Sequence, residues 1–261
     1  MFRPSSFAAA IEAALSPLFL VVIGGSMVNG ADIKVLSAGA LEPAFNDLLP
    51  QFEKSSGHKV TIVYETVGAI ISRLQKDEDA DIAIVSGQQN EDLQKQGKIV
   101  VGSRIDVAKV GVGIGVRKGA AKPDISSVDT FKRAVLAAKS IAYGDPAGGG
   151  SSDIYIVELF NRLGIAAEIR SKTKLFPTTL EAMQAVARGE LEMGFRQASV
   201  IVAARDLDFV GPLPAAIQRY TLYTAGLVAS SKQQDAGKSL IGFISSPVAE
   251  AVMKAKGFER P

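Results

Sequence analysis

Cysteine is absent from the 261-residue chain and histidine occurs once. The first absence excludes disulfides, thiolate zinc sites and cysteine nucleophiles, and the second leaves any histidine cluster or Ser-His-Asp triad resting on His58 alone. No metal site and no cofactor are expected. Excess charge is scarce as well: 29 Lys and Arg face 27 Asp and Glu, a net +2. No basic run accompanies this balance, so no nucleic-acid partner is expected. No fixed-period repeat is visible. What is abundant is apolar surface, at 47% of residues, enough for a packed core in one large domain or two lobes.

The first residues read as an export segment. Arg3 supplies a positive start, and an apolar stretch from Phe7 to Ile23 is interrupted by Glu12. Its strongest part, Leu15 to Ile23, is too short for a membrane span. Small residues follow: Val28 and Gly30, or Asn29 and Ala31, fit cleavage positions, and Asp32 opens polar sequence. Residues 1–30 are therefore expected to be a signal peptide directing the chain to the periplasm.

Strands and helices then alternate. Ile33–Leu36, Lys59–Tyr64 and Asp81–Val85 read as strands, and Leu41–Ser55, Ala69–Lys76 and Gln89–Gln96 as helices. Pro43 is tolerated in a first turn, whereas Pro50 is expected to bend or break its helix. This βαβαβ run argues for a mostly parallel sheet covered on both faces. Asp106–Val116 is a long apolar run in which Gly111, Gly113 and Gly115 alternate with branched residues. No helix start follows, so the glycines are no dinucleotide fingerprint; they mark a strand with one face crowded by another backbone. A second series comprises helix Val128–Lys139, strand Ile141–Tyr143, helix Ser152–Leu163 and strand Lys174–Phe176. It continues through helix Thr179–Arg188, strand Leu191–Phe195 and helix Ala198–Ala203. Phe209–Pro214 reads as a proline-rich connector, Tyr220–Ala229 as a strand, and two helices separated by Pro247 end the chain.

Two such series imply two α/β lobes, each a mostly parallel sheet flanked by helices, with a hinge between them. The expected division is lobe I over 31–108, lobe II over 109–210, and a return over 211–261 that carries the C-terminal helices back to lobe I. Ligands of parallel sheets sit beyond the carboxyl ends of the strands. That rule nominates Ser37, Gly39 and Ala40 after the first strand, and Tyr64, Glu65, Thr66, Val67 and Gly68 after the second. Ser86 follows the third. The second series adds Asp145, then Pro177, Thr178 and Thr179, then Arg196 and Gln197. Between Gly144 and the next helix, Gly148, Gly149 and Gly150 precede Ser151 and Ser152, one of which is expected to cap the helix. A glycine-rich turn opening a helix directs backbone N–H groups and the positive helix end at one point, which is an anion site. Arg196 is either a carboxylate clamp in the cleft, a solvated side chain, or the partner of Glu192. Tyr64 and Tyr143 read as packing residues with a hydrogen-bonded tip, His58 as a surface histidine, and Arg73 as solvated.

The motifs Val35–Leu41, Gly144–Pro146, Lys174–Leu180 and Gly194–Gln197 resemble, in order, those of the molybdate-binding periplasmic proteins. The resemblance spans nearly all of the chain after the export segment. It implies a two-lobed type II periplasmic binding protein fold and a role as the substrate-binding component of an ABC transporter, monomeric and docking on a membrane permease. The family's ligand positions fall at Ala40, near Val67 with Thr66 beside it, near Ser152, near Thr179 and at Gln197. Two hydroxyl donors and a tyrosine of the family pattern are thereby missing, and Arg196 is gained. The implied ligand is an organic carboxylate or another oxyanion, held by helix N-termini and hydroxyls. Some members of the wider family resemble periplasmic aconitate isomerases, which gives an alternative: a tricarboxylate isomerase with Glu65, Asp145 or Asp153 as base. A third reading, a sensor or partner-docking pair of lobes, would need a recognition surface.

Overall fold

The computed structural model describes residues 30–261. Apart from Gly30, the expected signal peptide and its Val28 and Asn29 positions lie outside the described residues.

The first series begins with β1 (Asp32–Ala38), α1 (Glu42–Ser56), β2 (Lys59–Glu65), α2 (Val67–Gln75), β3 (Ile82–Ser86) and α3 (Gly87–Lys95). β1 lies between β2 and β3 and pairs parallel with both. Pro50 does not break α1, which runs through it unbroken. Proline removes the bond to the carbonyl four residues earlier, but here both Pro50 and Asn46 face solvent, so water can serve the freed carbonyl. The apolar face opposite (Phe45, Leu48, Leu49 and Phe52) stays buried and holds the helix to the sheet.

The long strand β4 (Ile105–Arg117) belongs to both halves of the molecule. The chain continues through α4 (Val128–Ala137), β5 (Ile141–Gly144), α5 (Ser151–Arg162), the single turn α6 (Ala166–Ile169), β6 (Thr173–Phe176) and α7 (Thr179–Ala187). β7 (Met193–Gln197), α8 (Ala198–Ala203), β8 (Leu207–Pro212), β9 (Tyr220–Leu227), α9 (Gln234–Ile244) and α10 (Pro247–Ala255) complete it. The strand order is β2-β1-β3-β9-β4-β7-β5-β6, with β8 paired off this path to β4. Ile105–Gly111 of β4 pairs antiparallel with β9, and Val112–Arg117 pairs with β7 and β8.

Two expectations are corrected here. The segment at Phe209–Pro214 is not a plain connector, because Leu207–Pro212 is a strand paired with β4. Proline is accommodated at the last residue of a strand lying off the main sheet path. The glycines of β4 are crowded mainly by side chains rather than by backbone. A Cβ on Gly111 would lie 2.8 Å from Gln218 Nε2, on Gly113 2.4 Å from the Phe209 ring, and on Gly115 2.6 Å from Met183 Cε.

Burial follows the same division. One core gathers Ile33, Val35, Phe45, Ile70 and Ile84 together with Leu240 and Ile241 of α9 and Met253 of α10. Another gathers Ile114, Phe131, Ile141, Phe160 and Phe195. Phe195 sits between Phe131 and Phe160 with ring planes at 78° and 83°, the edge-to-face geometry that aromatic quadrupoles favour.

Candidate functional site

Four helix N-termini meet around one cavity of about 210 Å³. Each follows a strand whose carboxyl end is directed there. α2 and α7 are capped by threonine: Thr66 Oγ1 accepts from Ala69 N–H and Thr178 Oγ1 from Glu181 N–H. The leading N–H groups of these helices have no partner four residues back, which is the usual state of a helix start. α5 starts differently from expectation. Its N-cap is Gly150, with no side-chain cap, and Ser151 and Ser152 are its first residues. α1 brings Glu42 to the cavity in its first turn.

The two serines are braced by Gln197 instead of capping. Gln197 Nε2 donates to Ser151 Oγ at 2.9 Å, and Ser152 Oγ donates to Gln197 Oε1 at 3.1 Å. Ser152 and Gln197 are both buried. This fixes the start of α5 against the end of β7.

Arg196, the residue before, is not paired with Glu192, whose carboxylate accepts from Lys139 N–H on the far side. Its guanidinium lines the cavity, and its Nη1 is buried with no hydrogen-bond partner among the described residues. Burial draws its pKa down, opposed by the charges of Asp153, Tyr223 and Glu42. Tyr64 lines the same cavity, and its hydroxyl is likewise buried without a partner, so the expected hydrogen-bonded tip is not found. Burial, with Glu42 nearby, pushes the Tyr64 phenol well up. Tyr223 of β9 completes the wall, its phenol raised by burial to about 12. Unpartnered buried donors are uncommon because each forfeits its hydration. Two lining one small cavity describe a place built for an acceptor.

The remaining predicted residues divide. Gly39, Ala40, Glu65, Thr66, Val67, Ser151, Ser152, Thr178, Thr179, Arg196 and Gln197 all line this cavity. Ser37 does not: it is fully buried and donates to the carbonyl of Ala38. Gly68, Ser86 and Gly149 line a neighbouring groove of about 490 Å³ that shares Val67 and Ser151 with the cavity. The groove is larger, but its cations are already matched, Arg104 by Glu91 and Asp106 and Arg219 by Glu158.

Of the three candidate bases, only Glu65 lines the cavity, and it pairs with Arg73 at 3.3 Å. Arg73 is thus an ion-pair partner rather than a solvated side chain. Asp153 is a structural tie: it accepts from Gly144 N–H at 3.0 Å and Thr179 Oγ1 at 2.7 Å. Burial raises its pKa, opposed by those two bonds and by Arg196. Asp145 caps the turn after β5 through Ala147 N–H. His58 is half-buried and accepts from Ala31 N–H at 3.0 Å. Among the described residues no group of His, Cys, Asp or Glu side chains could hold a metal ion.

Sequence reasoning missed Glu42 and Tyr223. Glu42 follows the first strand-end turn closely enough that the strand-end rule could have included it. Tyr223 carries no such signal, because β9 runs antiparallel to β3 and places it opposite Ser86 in mid-strand.

An α/β fold in which helix N-termini and Arg196, unpartnered among the described residues, converge on one small cavity is the arrangement of a solute-binding protein. Residues 33–259 match the family described as bacterial extracellular solute-binding protein, and the chain belongs to it. It is 32% identical over 234 residues to aconitate isomerase from a Pseudomonas species, covering 87% of each chain. It is 25% identical over 252 residues to the molybdate-binding protein ModA of Azotobacter vinelandii, covering 92% of this chain and 96% of that one. The crystallised periplasmic molybdate-binding protein of that organism superposes with a TM-score of 0.75 at 20% identity, over 88% of this chain and 99% of that one. PEB3 with bound L-phospholactate superposes with a TM-score of 0.66 at 15% identity, over 88% of this chain and all of the other. The fold is that of the type II periplasmic binding proteins.

Proposed function

We propose that this solute-binding protein captures a small polycarboxylate in the cavity between its lobes and hands it, in the periplasm, to the permease of an ABC-type importer. The observation that carries the reading is the presence of Arg196 Nη1 and Tyr64 Oη in one cavity without partners. Both are donors, so a ligand satisfying them presents acceptors at two points. One of these faces a planar guanidinium, the group best matched to a carboxylate or phosphate fork. A water takes roughly 30 Å³, so a cavity of about 210 Å³ holds several and exceeds what a single tetrahedral oxyanion fills. It is also below the roughly 300–1,000 Å³ of pockets for drug-sized ligands, which favours a compact, multiply charged molecule. The helix starts of α2, α5 and α7 supply further N–H donors without added counter-charge. Closure would turn on the two chain crossings between the lobes, within β4 and between β8 and β9, with the expected lobes 31–108 plus 211–261 and 109–210 moving as bodies.

A thermal-shift series on the exported chain tests this, since a ligand that binds only the folded form raises the melting temperature. Aconitate, citrate and related tricarboxylates should raise it at concentrations where molybdate, sulfate and phosphate do not. A rise with molybdate alone would remove the polycarboxylate from the account.

A second reading is a tricarboxylate isomerase working in the same cavity. It is favoured by the similarity to a protein named aconitate isomerase over 87% of both chains. Moving a double bond along a carbon chain needs a proton carrier beside the ligand. Of the expected bases, Glu65 is the one that lines the cavity, with Arg73 as its partner.

A further inference from the structure

We infer that Glu42 is the proton carrier for an allylic shift on a polycarboxylate bound at Arg196. This rests on the second reading above, a tricarboxylate isomerase working in that cavity. The other acidic groups close by are engaged: Glu65 by Arg73, Asp153 by Gly144 and Thr179, Asp145 by Ala147. Glu42 lines the cavity from the first turn of α1, and its carboxylate has no hydrogen bond or ion pair among the described residues. Glu42, an exposed residue at the cavity rim, lines the same cavity as the two unpartnered donors, and its charge acts on both the Tyr64 phenol and the Arg196 guanidinium. In a site that only binds a polyanion, a free carboxylate on the wall works against the ligand, and a neutral amide would serve better. A carboxylate standing there fits a group that takes and returns a proton.

The chemistry balances without a co-reactant. In a tricarboxylate whose double bond is flanked by a methylene, the methylene C–H is acidified by the adjacent carboxylate and the double bond. Glu42 removes that proton, so a C–H bond breaks and an O–H bond forms. The electron pair spreads over the three-carbon allyl unit and its carboxylates, where Arg196, the Tyr64 hydroxyl and the helix N–H groups meet the growing charge. The proton returns to the far carbon of the unit, the double bond moves by one position, and Glu42 is again a carboxylate. Nothing is oxidised or reduced.

The experiment uses the exported chain with trans-aconitate in D₂O, followed by proton NMR, with calorimetric binding measured on the same samples. The parent protein should exchange the methylene protons and build the isomer. Glu42→Gln should bind trans-aconitate as tightly as the parent or tighter, yet lose exchange by about 10²–10⁴-fold, the usual contribution of a positioned acid–base group. Glu42→Asp should recover part of the exchange, which a purely structural role for Glu42 does not predict. Exchange by Glu42→Gln at the parent rate overturns the assignment. So does loss of binding in Glu42→Gln, which would make Glu42 the acceptor for a ligand ammonium or hydroxyl. A parent that binds trans-aconitate without exchanging it overturns the inference and leaves the receptor standing. A parent that binds no polycarboxylate at all fails at the calorimetric step, and that result removes the reading of the cavity on which the inference rests.

Discussion

Gly68 and Gly149 meet backbone to backbone where the start of α2 faces the glycine turn before α5. A Cβ on Gly149 would lie 3.0 Å from Gly68 Cα, and one on Gly68 would lie 3.2 Å from Gly149 Cα. Gly149 also has φ 73°, a conformation that a side chain resists, so substitution there mixes two effects. Gly68→Ala separates them, because Gly68 is the second residue of a helix with no positive φ. Alanine is favoured over glycine in helix interiors by up to about 1 kcal/mol, but the added Cβ meets the Gly149 backbone at 3.2 Å, so the unliganded variant should keep the parent melting temperature only if the glycine turn gives way by a few tenths of an ångström. If ligand binding needs the two backbones at this separation, ligand affinity should fall about tenfold, roughly 1.4 kcal/mol. Melting curves and calorimetry on one preparation check both signs, and unchanged affinity would make the contact incidental.

The fold was legible because each βα unit carries its own punctuation: an apolar run, a small-residue turn, a capping hydroxyl and a periodic helix. Thr66 and Thr178, nominated by the strand-end rule, stand where α2 and α7 begin and are found capping them. What escaped depends on distant partners. Nothing near Pro50 says that Asn46 faces water, and nothing near Phe209 says that β4 has an edge to offer. The site was legible to the same extent. The strand-end rule brought most lining residues together, but the roles of Ser151 and Ser152 depend on Gln197, 46 and 45 residues further on. Tyr223 enters from an antiparallel strand, to which that rule does not apply.

Gln197 is expected to act through the serines it braces. Gln197→Ala leaves the buried Ser152 hydroxyl without its acceptor, a loss of about 1–3 kcal/mol. For a chain of this size that lowers the melting temperature by roughly 2–4 °C per kcal/mol. Gln197→Glu keeps an acceptor for the serines but adds a negative charge to an anion cavity. It should lose more affinity than stability, whereas Gln197→Ala should lose both.

Alkaline pH reports on the buried wall. Burial raises the folded-state pKa of Tyr223 to about 12, above the ordinary tyrosine value of about 10. Between those values the unfolded chain releases a proton that the folded chain keeps. The stability is therefore fully present below pH 10 and is lost as pH rises through about 12. Tyr223→Phe removes this contribution, so the decline in stability above pH 10 should be shallower than in the parent. Phenolate absorbance recorded along the unfolding curves checks it; identical slopes would mean that Tyr223 ionises freely in the folded state.

Arg196 carries the central claim, and titrating a tricarboxylate into parent, Arg196→Lys and Arg196→Met proteins by calorimetry tests it most directly. A hydrogen bond to a charged group contributes about 1.5–3 kcal/mol, so Arg196→Lys should weaken binding by roughly 10- to 150-fold, because an ammonium cannot reproduce the planar fork. Arg196→Met should abolish measurable binding. It should also leave the unliganded protein at least as stable as the parent, because a buried cation without a hydrogen-bond partner is removed. Loss of binding with retained stability is the result this account predicts. Parent-like affinity in both variants would contradict it and move the ligand away from Arg196.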